Sequence, residues 1–316
     1  MIIYSYINTN KVGFKTNFLS ESSITYDMNK PLLHIFIPVY GVSPFLKETL
    51  DSVTKNTAID VPVTVIEDKS KFFGNEEIVK QFPRVSYIKN DMRLGIAKNF
   101  QKCAQISEGS YTQIIGSDDN YEPIDIRDEL QQYQNESIDV VIFKAHLFTR
   151  RKSLVDFIKF WISKAIETNK TLDNQKLLSS LAIGDWTYFP AIVWSTEKLL
   201  KFPFDEKMES AMDFDLKIKL IKDNSKFVYS RNFIVKYRRH AESQSSKSAV
   251  LGSRFEEEIE CLKIVKEHAK YKKWKSTEIL SSIGLTLRIH ILYTFLEEIR
   301  KGRYRSSILK KTFFKV

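Results

Sequence analysis

Short apolar segments alternate with stretches of helical periodicity between residues 32 and 148, and this alternation constrains the fold more than any other feature of the sequence. The first segment, LLHIFIPVY, is followed by Leu46, Leu50 and Val53 at the spacing of one helix face. Strands that are apolar throughout and separated by helices predict an α/β fold with a mostly parallel sheet flanked by helices. The predicted strands are 32–40, 61–68, 85–88, 111–116 and 138–148.

The pattern is less regular beyond residue 150. Helices are expected over 150–182, over 209–223 and from Arg254 onward, while 184–195 reads as an aromatic loop. The segment KFVYSRNFIVKYRRH at 226–240 predicts two strands. The second half is therefore expected to add helices and two strands to the α/β fold.

The chain carries 49 lysines and arginines against 39 aspartates and glutamates, a net charge of +10. This excess suits an anionic partner such as a membrane surface or a phosphorylated small molecule. Nucleic acid is not expected as a partner, because no recognised nucleic-acid-binding motif is present. Cys103 and Cys261 form no CxxC pair and the N-terminus has no signal-peptide pattern, so a cytoplasmic location is expected. Residues 279–296 are apolar but contain Arg288 and His290, which predicts a packing helix rather than a membrane span.

Polar side chains follow three of the predicted strands at the point where each strand ends. Tyr40 ends the first strand, Glu67 and Asp68 end the second, and Asp118 and Asp119 follow the fourth. Because ligands of open α/β sheets bind beyond the carboxyl ends of the strands, these side chains are expected to line one site. The two adjacent carboxylates repel each other and predict a divalent cation as their partner, with a surface turn as the alternative.

Six motifs occur in an order and spacing that resemble those of family-2 glycosyltransferases. The resemblance covers residues 32–243 and implies the GT-A fold, a Rossmann-like α/β architecture, of a bacterial nucleotide-sugar-dependent transferase. The motifs are FIPVY (36–40), VIEDKS (65–70), NDMRLGIAKNF (90–100), GSDDNY (116–121), MDFDL (212–216) and YRRHAES (237–243).

The resemblance also implies how the chain is organised. A polar N-terminal extension at 1–30 precedes a glycosyltransferase domain at 31–245, and a C-terminal helical region follows at 246–316. Within the domain, 31–123 would be the nucleotide-binding half and 124–245 the acceptor-side half.

The first motifs, by this resemblance, bind the nucleotide sugar. Pro38 and Tyr40 would line the pocket of the base, and Asp68 would accept a hydrogen bond from the N–H of a uracil ring. Arg93 and Lys98 would contact phosphate or ribose. Structural alternatives exist for these polar residues, because Asp68 also suits a helix N-cap or a turn and the two cations also suit a solvated surface.

The resemblance further implies a Mn²⁺ or Mg²⁺ site at Asp118 and Asp119, with His240 as a third ligand. The ion would bridge the two phosphates and neutralise the departing nucleoside diphosphate. Gly116 stands where the family pattern often has its first acid, which leaves open which of Asp118 and Asp119 ligates the ion and which contacts the ribose.

Asp213 matches the catalytic base of the family's Glu-Asp-x-Asp motif, although Met212 replaces the usual glutamate. Such a base takes the proton of an acceptor hydroxyl as that oxygen attacks the anomeric carbon. Glu209 is the alternative base. Trp186 and Tyr188 are either acceptor-stacking or core-packing residues.

The resemblance as a whole implies an inverting, metal-dependent transferase that moves a sugar from a UDP-sugar to a glycan or lipid-linked glycan in bacterial surface polysaccharide synthesis. The segment KGRYRSSILKKTFFKV at 301–316 has six basic residues and no acid, which suits contact with the inner face of the plasma membrane. Gly116 and Met212 favour one alternative, a catalytically silent binding protein of the same fold. A sugar-phosphate nucleotidyltransferase is less well supported, because IPVYGVSPFLKET at 37–49 has one glycine and no arginine.

Overall fold

A computed structural model of the protein describes residues 30–71, 74–148, 153–239 and 244–302. The five strands predicted in the first half are confirmed, and four others accompany them in this part of the chain. In chain order the strands are β1 (Leu33–Tyr40), β2 (Val63–Asp68), β3 (Val85–Lys89), β4 (Tyr111–Ile114), β5 (Asn120–Tyr121), β6 (Val140–Phe148), β7 (Thr168–Thr171), β8 (Ile192–Ser195) and β9 (Phe227–Arg238).

The helices predicted over 209–223 and after Arg254 are confirmed. The single helical stretch predicted over 150–182 is wrong, because its threonines Thr168 and Thr171 form β7, which pairs with β9 and separates two helices. In chain order the helices are α1 (Leu46–Asn56), α2 (Asn75–Val79), α3 (Ile96–Gln105), α4 (Arg127–Asn135), α5 (Leu154–Ile166), α6 (Asn174–Ile183), α7 (Thr196–Lys201), α8 (Met212–Lys222), α9 (Gln244–Leu251), α10 (Ser253–Lys272), α11 (Lys275–Ile283) and α12 (Leu285–Arg300).

The strands form one sheet in the order β3-β2-β1-β4-β8-β6-β9-β5, and β7 also pairs with β9. The prediction of parallel pairing is confirmed from β3 to β4. In the other half of the sheet the pairing is mixed, because β8 runs antiparallel to both β4 and β6 whereas β6 and β9 pair in parallel. The sequence does not predict β8, because its four residues directly follow a 3-10 helix at Phe189–Ala191 and the whole segment 184–195 has the pattern of a loop. The α/β fold class, a sheet flanked by helices, is confirmed.

β9 is one strand of 12 residues where the sequence predicts two. Its pairing with β6 shifts register where Ile142 faces Tyr229 and Lys144 faces Phe233. The polar residues between the two apolar runs therefore form a bulge instead of a turn. As a result, β9 continues without a turn to Arg238, at the edge of the sheet that carries the candidate site.

Two apolar clusters cover the two faces of the sheet. Alternate residues of β1 point to opposite sides, so that Phe36 belongs to one cluster and Ile35 and Ile37 belong to the other. The cluster that contains Phe36 also contains Phe255 of α10 and Ile291 of α12. The C-terminal helices thus pack on the same core as the sheet, and the domain boundary at 245 stays a prediction.

The stretch Lys275–Arg300, which comprises α11 and α12, is the one part of the described chain that is long and apolar enough to cross a membrane. Of its most apolar window, 39% is buried, and a core helix of a globular protein would meet the same criterion. Leu287 and Ile291 are buried, as the sequence predicts for a packing helix. Gly284, with φ of 53°, separates the two helices.

Candidate active site

The carboxyl ends of β1, β2 and β4 lie side by side at one edge of the sheet. Tyr40 faces Asp68 in the parallel register of β1 and β2. β4 lies on the other side of β1, and the chain continues from it to Asp118 and Asp119. The structure therefore brings the predicted strand-end residues to a common edge.

Asp119 is almost fully buried at this edge. Its Oδ1 accepts a hydrogen bond of 3.0 Å from the backbone N–H of Arg238, and its Oδ2 accepts one of 3.1 Å from the N–H of Gly116. Burial and the neighbouring charge of Asp118 raise the pKa of Asp119 to about 8. A carboxyl group with this pKa holds a proton at neutral pH until a positive charge replaces it.

Gly116 leaves the space that the two carboxylates occupy. A Cβ atom on residue 116 would lie 2.6 Å from Asp118 Oδ1 and 2.7 Å from Asp119 Oδ2, closer than real Cβ contacts. An acidic side chain at position 116 is therefore incompatible with the observed placement of the other two. The two carboxylates instead occupy the space beside the glycine.

Arg238 at the end of β9 supplies a positive charge close to the aspartate pair. Its Nε donates a hydrogen bond of 2.8 Å to the carbonyl oxygen of Asp118, and its guanidinium pairs with Glu48 at 2.7 Å. The guanidinium also lies 4.4 Å from the ring centroid of Phe45. This arginine is not among the site residues that the sequence predicts, although it begins the RRH segment of the last motif.

No group of three or more His, Cys, Asp or Glu side chains in the described part of the chain is arranged to hold a metal ion. His240, the predicted third ligand, lies outside the described residues. The described members of the predicted metal site are thus Asp118 and Asp119, whose oxygen atoms are the donors that Mg²⁺ and Mn²⁺ prefer.

A cavity of about 340 Å³ lies between α5, α8, β9, α10 and α12, with Asp213 in its wall. Asp213 is in the first turn of α8 and accepts a hydrogen bond of 3.0 Å from Lys217 one turn later. Lys217 is fully buried and donates to Asp185 as well, at 2.9 Å to Oδ1 and 2.8 Å to Oδ2. Two carboxylates therefore share one buried ammonium group.

Burial and the shared lysine shift the pKa values of the two carboxyl groups in opposite directions. Burial raises the pKa of Asp213, and the charge of Asp185 adds to this effect, while Lys217 opposes it. Burial alone would also raise the pKa of Asp185, but the charges of Lys217 and Lys159 hold that pKa below its usual value. Asp213 is thus the more basic member of the pair and the one suited to accept a proton.

The family comparison matches the first part of this fold. The model of the family described as Glycosyl transferase family 2 matches residues 34–181, which include β1 to β4 and the two strand-end acidic pairs. This segment belongs to glycosyl transferase family 2.

Two relatives and one solved structure are similar to a larger part of the chain. An uncharacterised glycosyltransferase of Methanocaldococcus jannaschii is 25% identical over 67% of this chain and 72% of its own length. The abequosyltransferase of Salmonella typhimurium is 26% identical over 55% of this chain and 56% of its own length. The structure of S. aureus TarS in complex with UDP-GlcNAc has a TM-score of 0.57 at 17% identity, over 74% of this chain and 66% of that one. This likeness confirms the GT-A fold.

The predicted donor-side residues are partly brought together. The Arg93 guanidinium lies 4.7 Å from the ring centroid of Tyr40, which is 57% exposed at the end of β1. Pro38 is half-buried within the same strand. Lys98 instead pairs with Glu206 at 2.9 Å on an exposed surface, which matches the alternative of a solvated cation.

Asp68 is buried and already holds four hydrogen bonds. Its carboxylate accepts from the backbone N–H groups of Leu94 at 2.7 Å, Gly95 at 2.9 Å and Lys69 at 3.1 Å, and from the Asn90 amide at 3.3 Å. It thereby fixes the loop that leads into α3, as the alternative role in a cap or turn predicts. Contact between Asp68 and the base stays a prediction.

A residue outside the matched segment positions the candidate base. Glu257 of α10 accepts hydrogen bonds from the backbone N–H groups of Glu209 at 3.1 Å, Ser210 at 2.8 Å and Ala211 at 2.9 Å. A carboxylate at this place satisfies the N–H groups that precede α8 and complements the helix dipole. Glu209 itself is exposed. Glu257 lies 44 positions after Asp213 in the chain, and no sequence motif links the two residues.

Aromatic residues of the segment 184–195 have separate roles. Trp186 is buried and donates a hydrogen bond of 3.0 Å to Ser180 Oγ, so it packs in the core and is not an acceptor-stacking residue. Tyr188 lines the cavity that contains Asp213, and its ring lies 5.4 Å from that of Tyr237. Tyr188 is thus the aromatic residue of this segment that remains available to an acceptor sugar.

Proposed function

We propose that this family 2 glycosyltransferase is an inverting, metal-dependent enzyme that transfers a sugar from a UDP-sugar to a hydroxyl group of a glycan or lipid-linked glycan. The observation that carries the proposal is the buried cluster of Asp185, Lys217 and Asp213 in the wall of a cavity of about 340 Å³. A carboxylate with a raised pKa that faces an open cavity is suited to general base catalysis.

The donor would bind at the strand edge. Tyr40 and Arg93 form a stacked pair whose exposed surface can hold a base or ribose, and Pro38 lies beside it in β1. The choice of UDP rests on the motif resemblance and on the fold shared with TarS, whose structure contains UDP-GlcNAc. Lys98 is the weakest member of the predicted set, because it is paired with Glu206.

Asp118 and Asp119 fit a divalent ion. They supply hard oxygen donors beside Gly116, and burial together with the neighbouring charge of Asp118 raises the pKa of Asp119 to about 8. His240 is proposed as a further ligand. When bound, Mn²⁺ or Mg²⁺ would neutralise the charge of the departing diphosphate.

Asp213 would take the proton from the acceptor hydroxyl during its attack. The bond that forms joins the acceptor oxygen to the anomeric carbon, and the bond that breaks joins this carbon to the nucleoside diphosphate, which leaves with the electron pair. Lys217 holds the carboxylate in place through its hydrogen bond of 3.0 Å, while burial and the charge of Asp185 raise the pKa of Asp213. Attack from the face opposite the leaving group inverts the anomeric configuration.

The proposal includes a cytoplasmic enzyme of bacterial surface polysaccharide synthesis that works at the inner face of the plasma membrane. Its support is the net charge of +10 and the basic segment 301–316, of which residues 303–316 lie outside the described part of the chain. Surface potentials of anionic leaflets attract such segments.

A panel of nucleotide sugars with Mn²⁺ tests the proposal, first by protection against thermal unfolding and then by product formation. Asp213→Asn should retain donor-dependent protection and lower the transfer rate by about 100- to 10,000-fold, the usual contribution of a general base. Protection without turnover by the wild-type protein would indicate a silent binding protein. Neither protection nor turnover with any nucleotide sugar would refute the proposed function.

A further inference from the structure

Helix α5 carries its apolar side chains on the outside. Leu154, Phe157, Phe160 and Trp161 are each between 52% and 62% exposed, and the face that they share otherwise holds Ala165 and Lys164. The opposite face sends Asp156 and Lys159 into the wall of the cavity that contains Asp213. A surface helix in water normally has the reverse arrangement, so the outward face of α5 is suited to an apolar environment.

Helix α12 has the same character and packs against α5. Its outward side chains Leu292, Tyr293, Leu296 and Ile299 are between 43% and 54% exposed. Its inward side chains Leu287 and Ile291 are buried in the core, so α12 is held on the protein surface rather than free to span a bilayer. Together the outward side chains of α5 and α12 form what is called here the α5–α12 face.

We propose that the α5–α12 face docks on an anionic lipid membrane and that the acceptor is a lipid-linked glycan delivered from this membrane to Asp213. This inference rests on the proposed function and narrows its acceptor class. Two features favour a membrane as the partner of this face: its continuity with the cavity of Asp213 and the basic sequence that follows α12. Tyr293 belongs to the face and also lines the cavity of Asp213, so an acceptor anchored in the membrane would enter beside it.

The charge near the face favours anionic lipid over a second copy of the chain. The exposed cations Lys164, Arg300 and Lys301 at the ends of the two helices are each offset by a glutamate three residues away, so the charge argument rests on the sequence after them. The sequence that directly follows contains no acid and five basic residues, Arg303, Arg305, Lys310, Lys311 and Lys315. Two copies that met through this face would bring like charges together, whereas lysines and arginines around an apolar helix face are the pattern of interfacial membrane binding.

The cavity also suits an acceptor with an acidic group, such as the phosphate of a lipid carrier. Arg239 and Arg254 are each paired with a carboxylate, at 2.8 Å to Asp156 and 2.8 Å to Glu258. Lys159 has no ion pair with any residue that the structure describes, and its Nζ lies 5.9 Å from the ring centroid of Tyr188. This side chain lines the cavity of Asp213, and its charge also acts on Asp185, so an acceptor phosphate would share it with that carboxylate.

Vesicle flotation of the full chain tests the inference, with vesicles of phosphatidylcholine alone and of phosphatidylcholine mixed with phosphatidylglycerol. The wild-type protein should float with the anionic vesicles, and the double variant F160S/W161S should bind them at least about tenfold more weakly, because two large apolar side chains no longer enter the interface. The matched control is I59S/L200S, which removes two exposed apolar residues elsewhere, 82% and 51% exposed, and should bind as the wild type does. Donor hydrolysis without acceptor should be equal in all three proteins.

Equal flotation of F160S/W161S and the wild type would overturn the inference, as would a wild-type protein that does not bind anionic vesicles. A chain shortened after Gly302 that binds vesicles more tightly would overturn it too, since residues 303–316 would then cover the face in place of lipid. A change of oligomeric state in F160S/W161S without a change in flotation would assign the face to a second copy. The proposed function fails separately, when the wild type floats but turns over no nucleotide sugar.

Discussion

Replacing Lys217 with methionine removes the ammonium group that two buried carboxylates share. Lys217 is fully buried, and its Nζ lies 2.8 Å from Asp185 and 3.0 Å from Asp213. Without it both carboxylates would sit in the protein interior with no direct counter-charge. We expect K217M to lower the free energy of unfolding by about 3–5 kcal/mol, the usual cost of removing one partner from a buried ion pair.

The loss of stability in K217M is expected to depend on pH. In the wild-type protein the lowered pKa of Asp185 stabilises the fold above its usual value of 3.8, and this contribution is lost as the pH falls through the lowered pKa. In K217M both carboxyl groups bind protons more readily in the folded than in the unfolded chain, so the stability of the variant rises as the pH falls. The difference between the two proteins should therefore be larger at about pH 7 than at about pH 4.

Urea denaturation at several pH values measures this difference, and an exposed ion pair of α1 with the same i, i+4 spacing offers a matched control. Lys47 pairs with Asp51 at 3.0 Å, and the two side chains are 57% and 56% exposed. K47M should therefore cost only about 0–1 kcal/mol. Equal losses in K217M and K47M, or a loss in K217M that does not change with pH, would refute the electrostatic account of the cluster.

Three further predictions concern metal binding and the pH profile of transfer. Mn²⁺ affinity should fall by about tenfold per pH unit below about pH 8, because burial and Asp118 raise the pKa of Asp119 to about 8 and the ion must displace this proton. Titration calorimetry in buffers of different ionisation enthalpy measures the released proton, and a pH-independent affinity would contradict the assignment. Gly116→Ala should abolish Mn²⁺-dependent thermal stabilisation, since the added Cβ would displace both carboxylates; unchanged stabilisation would place the ion elsewhere. Asp185→Asn should shift the acid limb of the kcat/KM profile to lower pH, because the charge of Asp185 raises the pKa of Asp213.

The strand edge could be predicted from the sequence because its geometry follows from local patterns. Apolar strands separated by helices are parallel neighbours, and parallel strands that start on one side of a sheet end on the other. Tyr40, Asp68, Asp118 and Asp119 therefore reach one edge whatever the rest of the chain does. Local sequence patterns do not determine hydrogen bonding. In the structure the Asp68 carboxylate accepts hydrogen bonds from backbone N–H groups of the loop before α3.

The cavity around Asp213 could not be predicted, because it is assembled from distant parts of the chain. Glu257 reaches the N-terminus of α8 from α10, and Asp185 reaches Lys217 from a segment that reads as a loop. The i, i+4 spacing of Asp213 and Lys217 was visible in the sequence, but it is also the spacing of an ordinary surface pair. Only burial distinguishes this pair from an exposed i, i+4 pair such as Lys47 and Asp51 of α1.

The charges around Asp213 explain how an aspartate that is bonded to a lysine can still act as a base. With both acids ionised, Asp185, Lys217 and Asp213 together carry two negative charges and one positive charge. When Asp213 takes the proton of an acceptor hydroxyl, the cluster becomes neutral, and a buried site favours that change. If Asp213 and Lys217 were alone, proton uptake would instead leave an uncompensated ammonium group in the interior. Asp185 therefore makes Asp213 more basic without touching the acceptor, and in Asp185→Asn a weaker base should slow transfer while donor binding at the strand edge is unchanged. If the pKa of Asp213 did not depend on Asp185, the pH profile of transfer would be the same in Asp185→Asn as in the wild type.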